Sequence, residues 1–374
     1  MLQGSHEVIA RPSWVEVDLG AIRHNVRLLI ERASPAVVCA VVKSDGYGHG
    51  AVAVSRAALD AGATWLAVVI PDEGVELRQA GIDAPILVLD EPEAWDDVVA
   101  HGLAPTVYSE RGLAALAAEA ERQRRTVGVH LKIDTGMHRI GVAPQDAVDR
   151  AKGVLAAPAL RLEAVWTHCP VADEPDNPFT GQQADRFDGV LAELRTAGID
   201  PPMVHAANSA AALVQPRLRY DLVRCGIAVY GLDPSPDVRD AAPLRPALAW
   251  KSRVSNVQAV PTGEAVSYGL RRPVAANTVI ATVPVGYADG MPRRLSDEGA
   301  VLIGGKRRPI AGTITMDRLM VDCGDDDVAV GDEVVLIGKQ GPEAISVQDW
   351  ADLAGTIVYE ITCGINPRVP RVHV

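Results

Sequence analysis

Short apolar runs rich in β-branched residues recur through the first two thirds of the chain. There are eight of them: AVVCAVVK ending at Lys43, TWLAVVI ending at Ile70, APILVLD ending at Asp90, APTVYS ending at Ser109, VGVHLKID ending at Asp134, RLEAVWTH ending at His168, PMVHAANS ending at Ser209 and LVRCGIAVYG ending at Gly231. Each run is apolar along nearly its whole length, as expected for strands that are buried on both faces. The pattern therefore predicts eight parallel strands.

Helix-like stretches separate these runs. SERGLAALAAEAERQRR begins at Ser109 and TGQQADRFDGVLAELRTAG begins at Thr180, both with apolar residues at helical spacing. Eight strand–helix units in succession are typical of a (β/α)8 barrel. An open, doubly wound sheet is the alternative, but no G-x-G-x-x-G motif follows the first strand. We therefore expect an α/β protein that begins with a (β/α)8 barrel.

The pattern changes near Pro243. From Ala249 onward, Gly and Pro separate Val- and Ile-rich stretches, which is typical of β-hairpins, and a single helical segment, ISVQDWADLAG, interrupts them. We predict a barrel over residues 11–243 and a smaller, mainly β domain over residues 244–374. Residues 1–10 resemble a tag remnant or a frayed end and are left out of this prediction.

Charge and composition narrow the class of protein. The net charge of −12 over 374 residues argues against a nucleic-acid surface. No apolar run is long enough for a membrane span, and no secretory signal begins the chain. The five cysteines include no C-x-x-C pair, so we expect reduced thiols, no metal site and a cytoplasmic protein.

Polar residues at the ends of the predicted strands carry the candidate chemistry. They are Lys43, Lys132, Asp134, His168, Asn208, Ser209 and Arg224. Active sites of (β/α)8 barrels lie at the carboxyl ends of the strands, where these side chains would meet. Lys43 opens the glycine-rich segment KSDGYGHG, which allows the backbone to approach a ligand closely. A partly desolvated lysine there suits covalent attachment of a carbonyl group, although a surface lysine is the alternative.

The chain resembles the alanine racemases in a series of correctly ordered motifs. They are AVVKSDGYGHG at 40–50, KIDTGMHRIG at 132–141, THCPVADE at 167–174, HAANSAA at 205–211, VRCGIAVYG at 223–231, VSYG at 266–269, GYADG at 286–290, GTITMDRLMVD at 312–322 and RVPR at 368–371. Each motif alone is weak evidence, but the ordered set covers nearly the whole chain.

The resemblance implies a homodimer that uses pyridoxal 5'-phosphate (PLP) to interconvert L- and D-alanine, supplying D-alanine for peptidoglycan. It implies that Lys43 binds the cofactor and that Lys43 and Tyr268 are the two acid–base groups, with Tyr268 supplied by the partner subunit. Its remaining assignments are Arg224 at the pyridine nitrogen with His168 behind it, Tyr47, Asn208, Ser209, Gly226 and Ile227 at the cofactor, and Arg139, Lys132, Met316, Asp317 and Tyr287 at the substrate.

The chain departs from the family pattern at a few positions. Alanine racemases often have a phosphate-binding tyrosine just before the closing RVPR, where this chain has Asn366 and Pro367. His138 replaces a more common glycine, and Cys169 and Pro170 replace the usual pair after His168. These departures affect the expected cofactor affinity and substrate scope, and they leave the reaction type unchanged.

Three other functions stay open at this point. An amino-acid decarboxylase of the same architecture would be expected to have a carboxylate where this chain has Arg224 and a cysteine where it has Tyr268. A PLP carrier with little catalysis would lack residues 244–374. A racemase for serine or another small amino acid is compatible with the sequence, because the sequence does not give the shape of the pocket.

Overall fold

A computed structural model describes residues 12–374, so the predicted tag or frayed end at residues 1–10 lies outside the described residues. The strands, in chain order, are β1 (Ser13–Val17), β2 (Val37–Val41), β3 (Trp65–Val68), β4 (Ile86–Val88), β5 (Ala104–Val107), β6 (Val127–Lys132), β7 (Leu160–Trp166), β8 (Met203–His205), β9 (Leu222–Cys225), β10 (Leu248–Arg253), β11 (Asn256–Val260), β12 (Thr278–Val283), β13 (Ala300–Ile303), β14 (Lys306–Pro309), β15 (Leu319–Asp322), β16 (Glu333–Gln340), β17 (Glu343–Ile345) and β18 (Arg371–His373). The helices are α1 (Leu19–Ala33), α2 (Lys43–Gly48), α3 (Ala51–Asp60), α4 (Pro71–Gln79), α5 (Asp96–Ala100), α6 (Glu110–Gln123), α7 (Ala147–Ala156), α8 (Phe179–Thr196), α9 (Ser209–Val214), α10 (Val347–Ala354) and α11 (Val358–Cys363).

Strands β2 to β9 form a closed, parallel barrel in sequence order, and β2 pairs with β9 to close it. Each of the eight predicted runs overlaps one of these strands, which confirms the barrel and removes the open-sheet alternative. The register sets Lys132 beside Trp166, Trp166 beside His205, and Cys39 beside Arg224. Neighbouring strands therefore bring the polar residues of the predicted site to the same level of the barrel.

The barrel strands end earlier than the apolar runs suggested. β2 ends at Val41, and Lys43 is the first residue of α2. Residues 44–47 have φ values between 52° and 60°, so the backbone makes a left-handed turn there. Asp45 holds this turn because its carboxylate accepts from the N–H of Ala51 at 2.8 Å. Most of the residues that the sequence placed at strand ends thus follow their strands, whereas Lys132 and Arg224 lie within β6 and β9.

The remaining described residues form a second, mainly β unit. The chain divides into Leu19–Pro246 and a unit made of residues up to Asp18 together with Ala247–Val374. The second unit has a sheet ordered β14-β13-β16-β10-β1-β18, with β17 paired to β16, and a three-stranded sheet ordered β11-β12-β15. A barrel followed by a mainly β domain is therefore the observed fold class.

Strand β1 corrects the predicted extent of the first domain, 11–243. Residues 13–17 pair antiparallel with β10 and parallel with β18, so they belong to the β unit and not to the barrel. The physical reason is that Val15 and Val17 are buried while Trp14 and Glu16 are only half-buried. Barrel strands are buried on both faces, whereas this alternation suits a sheet that packs through one face. At the other end of the barrel, the predicted boundary at residue 243 lies close to the observed one at Pro246.

Over residues 12–374, no helix has the length and apolar character needed to cross a membrane. In the same range, no group of three or more His, Cys, Asp or Glu side chains is arranged to hold a metal ion.

Candidate active site

The turn after β2 carries Lys43 and Tyr47. Lys43 is half-buried and Tyr47 is buried, with its ring centroid 4.9 Å from that of Tyr230. Tyr230 in turn donates from its hydroxyl to the carbonyl of Val41 at 2.9 Å, which fixes the second ring against the end of β2. The left-handed turn therefore places a lysine and a tyrosine together at the carboxyl end of the barrel.

Hydroxyl and backbone N–H groups meet after β8 and β9. The hydroxyl of Ser209 accepts from the N–H groups of Gly226 and Ala228 at 2.9 and 3.3 Å. The Tyr47 hydroxyl lies directly against Gly226, so a Cβ at that position would collide with it. Tyr47, Ser209 and Gly226 thus form one polar cluster, and Ile227 follows in the turn Ile227–Tyr230. The cluster has the small residues and donors that a phosphate group requires.

Asn208 caps helix α9 and does not point freely into the site. Its side-chain oxygen accepts from the N–H of Ala211 at 3.0 Å, and its amide donates to the carbonyl of Cys169 at 3.3 Å. Asn208 therefore orients the start of the helix on which Ser209 lies.

Arg224 is buried, with 3 % exposure, and its guanidinium is held on two sides. Nη2 donates to the carbonyls of Thr167 and Ala206, each at 2.9 Å, and lies 3.1 Å from Nδ1 of His168. Nη1 lies 2.8 Å from Nδ1 of His205. The Nε atom takes part in none of these bonds. Burial lowers the pKa of Arg224 to about 10, so the side chain is protonated at neutral pH.

His168 lies among positive charges. Burial lowers the pKa of His168 well below its ordinary value, and the charges of Arg224, Lys132, Arg139 and Lys43 lower it further. The residue is therefore neutral at pH 7 and accepts the hydrogen bond from Arg224. These four predicted residues therefore all lie near His168.

Lys132 is buried beneath this group, with 3 % exposure, and its Nζ lies 4.3 Å from the centroid of the Trp166 ring. Burial, followed by the charges of Arg224 and Arg139, lowers the pKa of Lys132 to about 7. Arg139 is exposed on the loop after β6. Asp134 shapes that loop by accepting from the N–H groups of Gly136 and His138 at 2.9 and 3.1 Å.

The other predicted residues lie in the β unit. Tyr268, Met316 and Tyr287 are 75 %, 54 % and 42 % exposed, which is high for large side chains with apolar bodies. Asp317 pairs with Arg368 at 2.7 Å, and Arg368 also pairs with the buried Asp289 at 2.6 Å. Asp317 is therefore engaged in an ion pair within its own unit.

Both units match known protein domains. The sequence profile of the alanine racemase N-terminal domain matches residues 17–234, and that of the alanine racemase C-terminal domain matches residues 247–373. This chain belongs to the alanine racemase family. An alanine racemase of Symbiobacterium thermophilum is 49 % identical over 97 % of each chain.

Solved structures of alanine racemases share this fold throughout. The alanine racemase of a D-cycloserine-producing Streptomyces lavendulae superposes with a TM-score of 0.93, at 41 % identity over 97 % of each chain. A histidine racemase from Leuconostoc mesenteroides superposes with a TM-score of 0.91 at 28 % identity, covering 98 % of this chain and 99 % of that one. The fold is therefore shared by racemases with different substrates.

Sequence analysis missed two residues of this alanine racemase family member, His205 and Trp166. Trp166 contacts two cations, because the Arg224 Cζ lies 4.5 Å and the Lys132 Nζ 4.3 Å from its ring centroid. His205 stacks on this ring at 5.4 Å. His205 resembles an ordinary core histidine in the sequence, and its contact with Arg224 depends on the pairing of β8 with β9.

Proposed function

We propose that this protein is a PLP-dependent racemase that interconverts L- and D-alanine, with Lys43 and Tyr268 as the two acid–base groups. The observation that carries the proposal is the Arg224 guanidinium, which is buried at the carboxyl end of the barrel among neutral histidines. Its product, D-alanine, would enter peptidoglycan. The five cysteines are all free, which fits the cytoplasm.

The barrel unit fits PLP in its donor set. Ser209, the N–H groups of Gly226 and Ile227, and the Tyr47 hydroxyl would hold the phosphate at the cluster after β8 and β9. Lys43 would bind the cofactor covalently, and Arg224 would face the pyridine nitrogen. Because this chain has Pro367 in the segment where the family often has a phosphate-binding tyrosine, we assign the phosphate mainly to this cluster.

When bound, PLP supplies an electron sink that makes the Cα proton of an amino acid removable. Racemisation must remove that proton from one face and return a proton to the other, so two groups on opposite sides are required. The Lys43 amine holds or accepts the proton on one side, and the Tyr268 hydroxyl does so on the other. Both side chains have reference pKa values of about 10, so nearby cations or desolvation must assist their basic forms.

Arg224 determines the outcome because it donates a hydrogen bond and gives up no proton. Its pKa of about 10 leaves it charged at neutral pH, and an arginine offers donors only. A pyridine nitrogen that receives a hydrogen bond without a proton is a weaker electron sink than a pyridinium. With PLP bound, Arg224 would therefore favour return of the proton to Cα over side reactions such as transamination. A carboxylate at this position, as expected of a decarboxylase, would instead favour the protonated pyridinium, which is the stronger electron sink.

Arg139 and Lys132 would serve the substrate carboxylate together. Arg139 is exposed on its loop and binds the carboxylate, while Lys132 orients it. A lysine with a pKa of about 7 has a substantial neutral fraction at physiological pH, so its neutral amine can attack CO2 to form a carbamate with release of a proton. The carbamate is an anion that would satisfy the surrounding cations and pair with Arg139.

The active site would be composite, built in a homodimer. Tyr268, Tyr287 and Met316 expose apolar surface on the β unit, which suits burial against a second copy of the chain. In this proposal the partner's barrel supplies Lys43, and Met316, Asp317 and Tyr287 line the substrate site and its access route.

Reduction with borohydride tests the cofactor assignment. The purified protein with PLP should absorb in the near-visible range, and borohydride should fix the cofactor on the peptide that contains Lys43. A control variant, Lys152→Met, removes an exposed lysine and should label normally. Label on another lysine, or no absorbance band after PLP is added, would contradict the assignment.

Substrate scope is tested by incubating the PLP-loaded protein separately with L-alanine, L-serine, L-lysine and L-histidine. Optical rotation follows racemisation and CO2 release follows decarboxylation. We expect the fastest loss of rotation with L-alanine and no CO2. Faster racemisation of another amino acid would reassign the substrate, and CO2 release would replace the reaction type.

A further inference from the structure

We infer that His130 and His205 form a neutral hydrogen-bonded pair with a fixed direction, and that the pair holds Arg224 as a donor. His130 is then a positioning residue that acts through His205. The inference rests on the proposed function, because it concerns the guanidinium that faces the pyridine nitrogen.

The three side chains are connected in the barrel interior. The Arg224 Nη1 lies 2.8 Å from Nδ1 of His205, and the Nε2 of His205 lies 3.1 Å from Nδ1 of His130. His130 and His205 are fully buried, and Arg224 is 3 % exposed. They come from β6, β8 and β9, so the connection runs across the barrel and not along one strand.

Arg224 determines which ring nitrogen carries the proton in His205 and, through it, in His130. An arginine can only donate, so Nδ1 of His205 must be the acceptor. A neutral imidazole carries one N–H, which in His205 must then be on Nε2, and this group donates to Nδ1 of His130. His130 therefore carries its own proton on Nε2. Within residues 12–374 that Nε2 atom is buried and has no hydrogen-bond partner.

The surroundings keep both histidines neutral. The positive charge of Arg224 lies near both histidines, and that of Arg161 also lowers the pKa of His130. The ring of Trp65 packs beside His130, and the ring of Trp166 packs beside His205. Burial and these positive charges lower the pKa of His130 to about 3 and that of His205 well below its ordinary value. A proton on either ring would place a further cation beside a buried guanidinium.

The consequence concerns reaction specificity. If His205 turned its N–H toward Arg224, two donors would oppose each other and the guanidinium would shift from the carbonyls of Thr167 and Ala206. Arg224 disfavours this from one side of His205, and His130 disfavours it from the other because it accepts the Nε2 proton of His205. The pair thus keeps one donor geometry at the pyridine nitrogen and provides no proton that could pass to it.

Histidine NMR on the 15N-labelled protein tests the direction, both without cofactor and with PLP bound. Variants His130→Asn and His205→Asn assign the signals. We expect both imidazoles to carry the proton on Nε2 alone and to show no titration between about pH 5 and 8. A proton on Nδ1 of His205, or a positively charged ring in either residue, would overturn the inference. This measurement does not require racemase activity, so it is independent of the proposed function.

Three variants of His130 test the consequence. Asparagine places an acceptor where Nδ1 was, so His130→Asn should keep the ratio of transamination to racemisation within about twofold of the wild type. His130→Gln and His130→Leu leave the His205 N–H without that acceptor, and should raise the ratio by about tenfold. Pyridoxamine phosphate is measured against D-alanine after circular dichroism confirms folding.

The outcomes separate the two proposals. Equal ratios in all folded variants would overturn the positioning role of His130, as would a ratio in the asparagine variant equal to that of the leucine variant. A wild-type protein that does not racemise alanine would instead contradict the proposed function. If the glutamine and leucine variants do not fold, the NMR measurement still decides the inference.

Discussion

Lys132 lies in surroundings that disfavour its own positive charge. It is buried against the Trp166 ring, and the charges that lower its pKa most are those of Arg224 and Arg139. A buried ammonium without a counter-ion costs free energy, so the amine gives up its proton near neutral pH. The same property would make it reactive toward CO2, as proposed, and should make the stability of the protein depend on pH.

The free energy of unfolding should therefore rise with pH because of Lys132. Its pKa is about 10.5 in the unfolded chain and about 7 in the folded protein. Between these values the unfolded state binds the proton and the folded state does not, so stability increases by up to about 1.4 kcal/mol per pH unit. Below pH 7 both states bind the proton, and the destabilisation is complete.

Urea unfolding midpoints measured in CO2-free buffer between about pH 7 and 9 test this increase. Lys132→Met should flatten the pH profile relative to the wild type, while Lys152→Met, at an exposed lysine paired with Asp149, should leave it unchanged. Parallel profiles for the wild type and Lys132→Met would show that the pKa of Lys132 is not lowered.

At the scale of elements, the sequence predicted which segments form strands better than where the strands end. Continuous apolar runs identified all of β2 to β9 because burial on both faces leaves a clear signal. The run LVRCGIAVYG, however, is a strand only over Leu222–Cys225 and then turns at Ile227–Tyr230. Apolar residues fill both parts, so hydropathy cannot separate them.

The turn after β9 makes Gly226 a sensitive position. A Cβ at Gly226 would collide with the Tyr47 hydroxyl. Gly226→Ala should therefore displace that hydroxyl and weaken PLP binding by about tenfold. Fluorescence titration of the cofactor measures the change.

The cause of that loss can be isolated in a Tyr47→Phe background. Removal of the hydroxyl relieves the collision, so Gly226→Ala should there weaken binding far less than in the wild type. Equal losses in the two backgrounds would mean that backbone strain at residue 226, and not the Tyr47 contact, is responsible.

Arg368 joins two loops of the β unit that carry predicted substrate residues. The N–H groups of Tyr287 and Ala288 donate to the carbonyls of Thr315 and Met316 at 3.1 and 3.0 Å. Arg368 adds ion pairs to one aspartate in each loop, Asp289 and Asp317. Its two nitrogens act on separate carboxylates, which a single ammonium group cannot reproduce.

Weakening the ion pairs of Arg368 should weaken substrate binding more than it slows the chemical step. Asp317→Asn and Arg368→Lys should raise the KM for alanine by about tenfold and change kcat by less than about threefold. Arg307→Lys, which pairs with Asp349 elsewhere in the same unit, is the control. A fall in kcat with an unchanged KM would assign Asp317 to the chemical step instead.

At the scale of the whole molecule, the two units were visible in the sequence as a change of pattern near residue 243. The place of β1 in the β unit was not, because strand partners depend on tertiary pairing. The alternation of Val15 and Val17 with Trp14 and Glu16 was the available signal. His205 was missed for the same reason, since its role depends on which strand lies beside it.

Within one chain, the exposure of Tyr268 does not suit the role proposed for it. A tyrosine that acts as a base needs a desolvated or cationic neighbourhood, yet this side chain is 75 % exposed. In the proposed homodimer, Tyr268 is covered by the partner's barrel. An isologous dimer then contains two equivalent sites, each with its lysine from one chain and its tyrosine from the other.

Mixing two inactive variants tests this arrangement. Lys43→Ala and Tyr268→Ala should each be nearly inactive, but in a mixed dimer one site carries both changes and the other carries neither. Random association of equal amounts makes half of the dimers mixed, so about a quarter of wild-type activity should return. Differential tags confirm subunit exchange, and D-alanine formation is the assay. A site contained in one chain would leave every site damaged, and a mixture with confirmed exchange but no activity would therefore show that Lys43 and Tyr268 act within the same subunit.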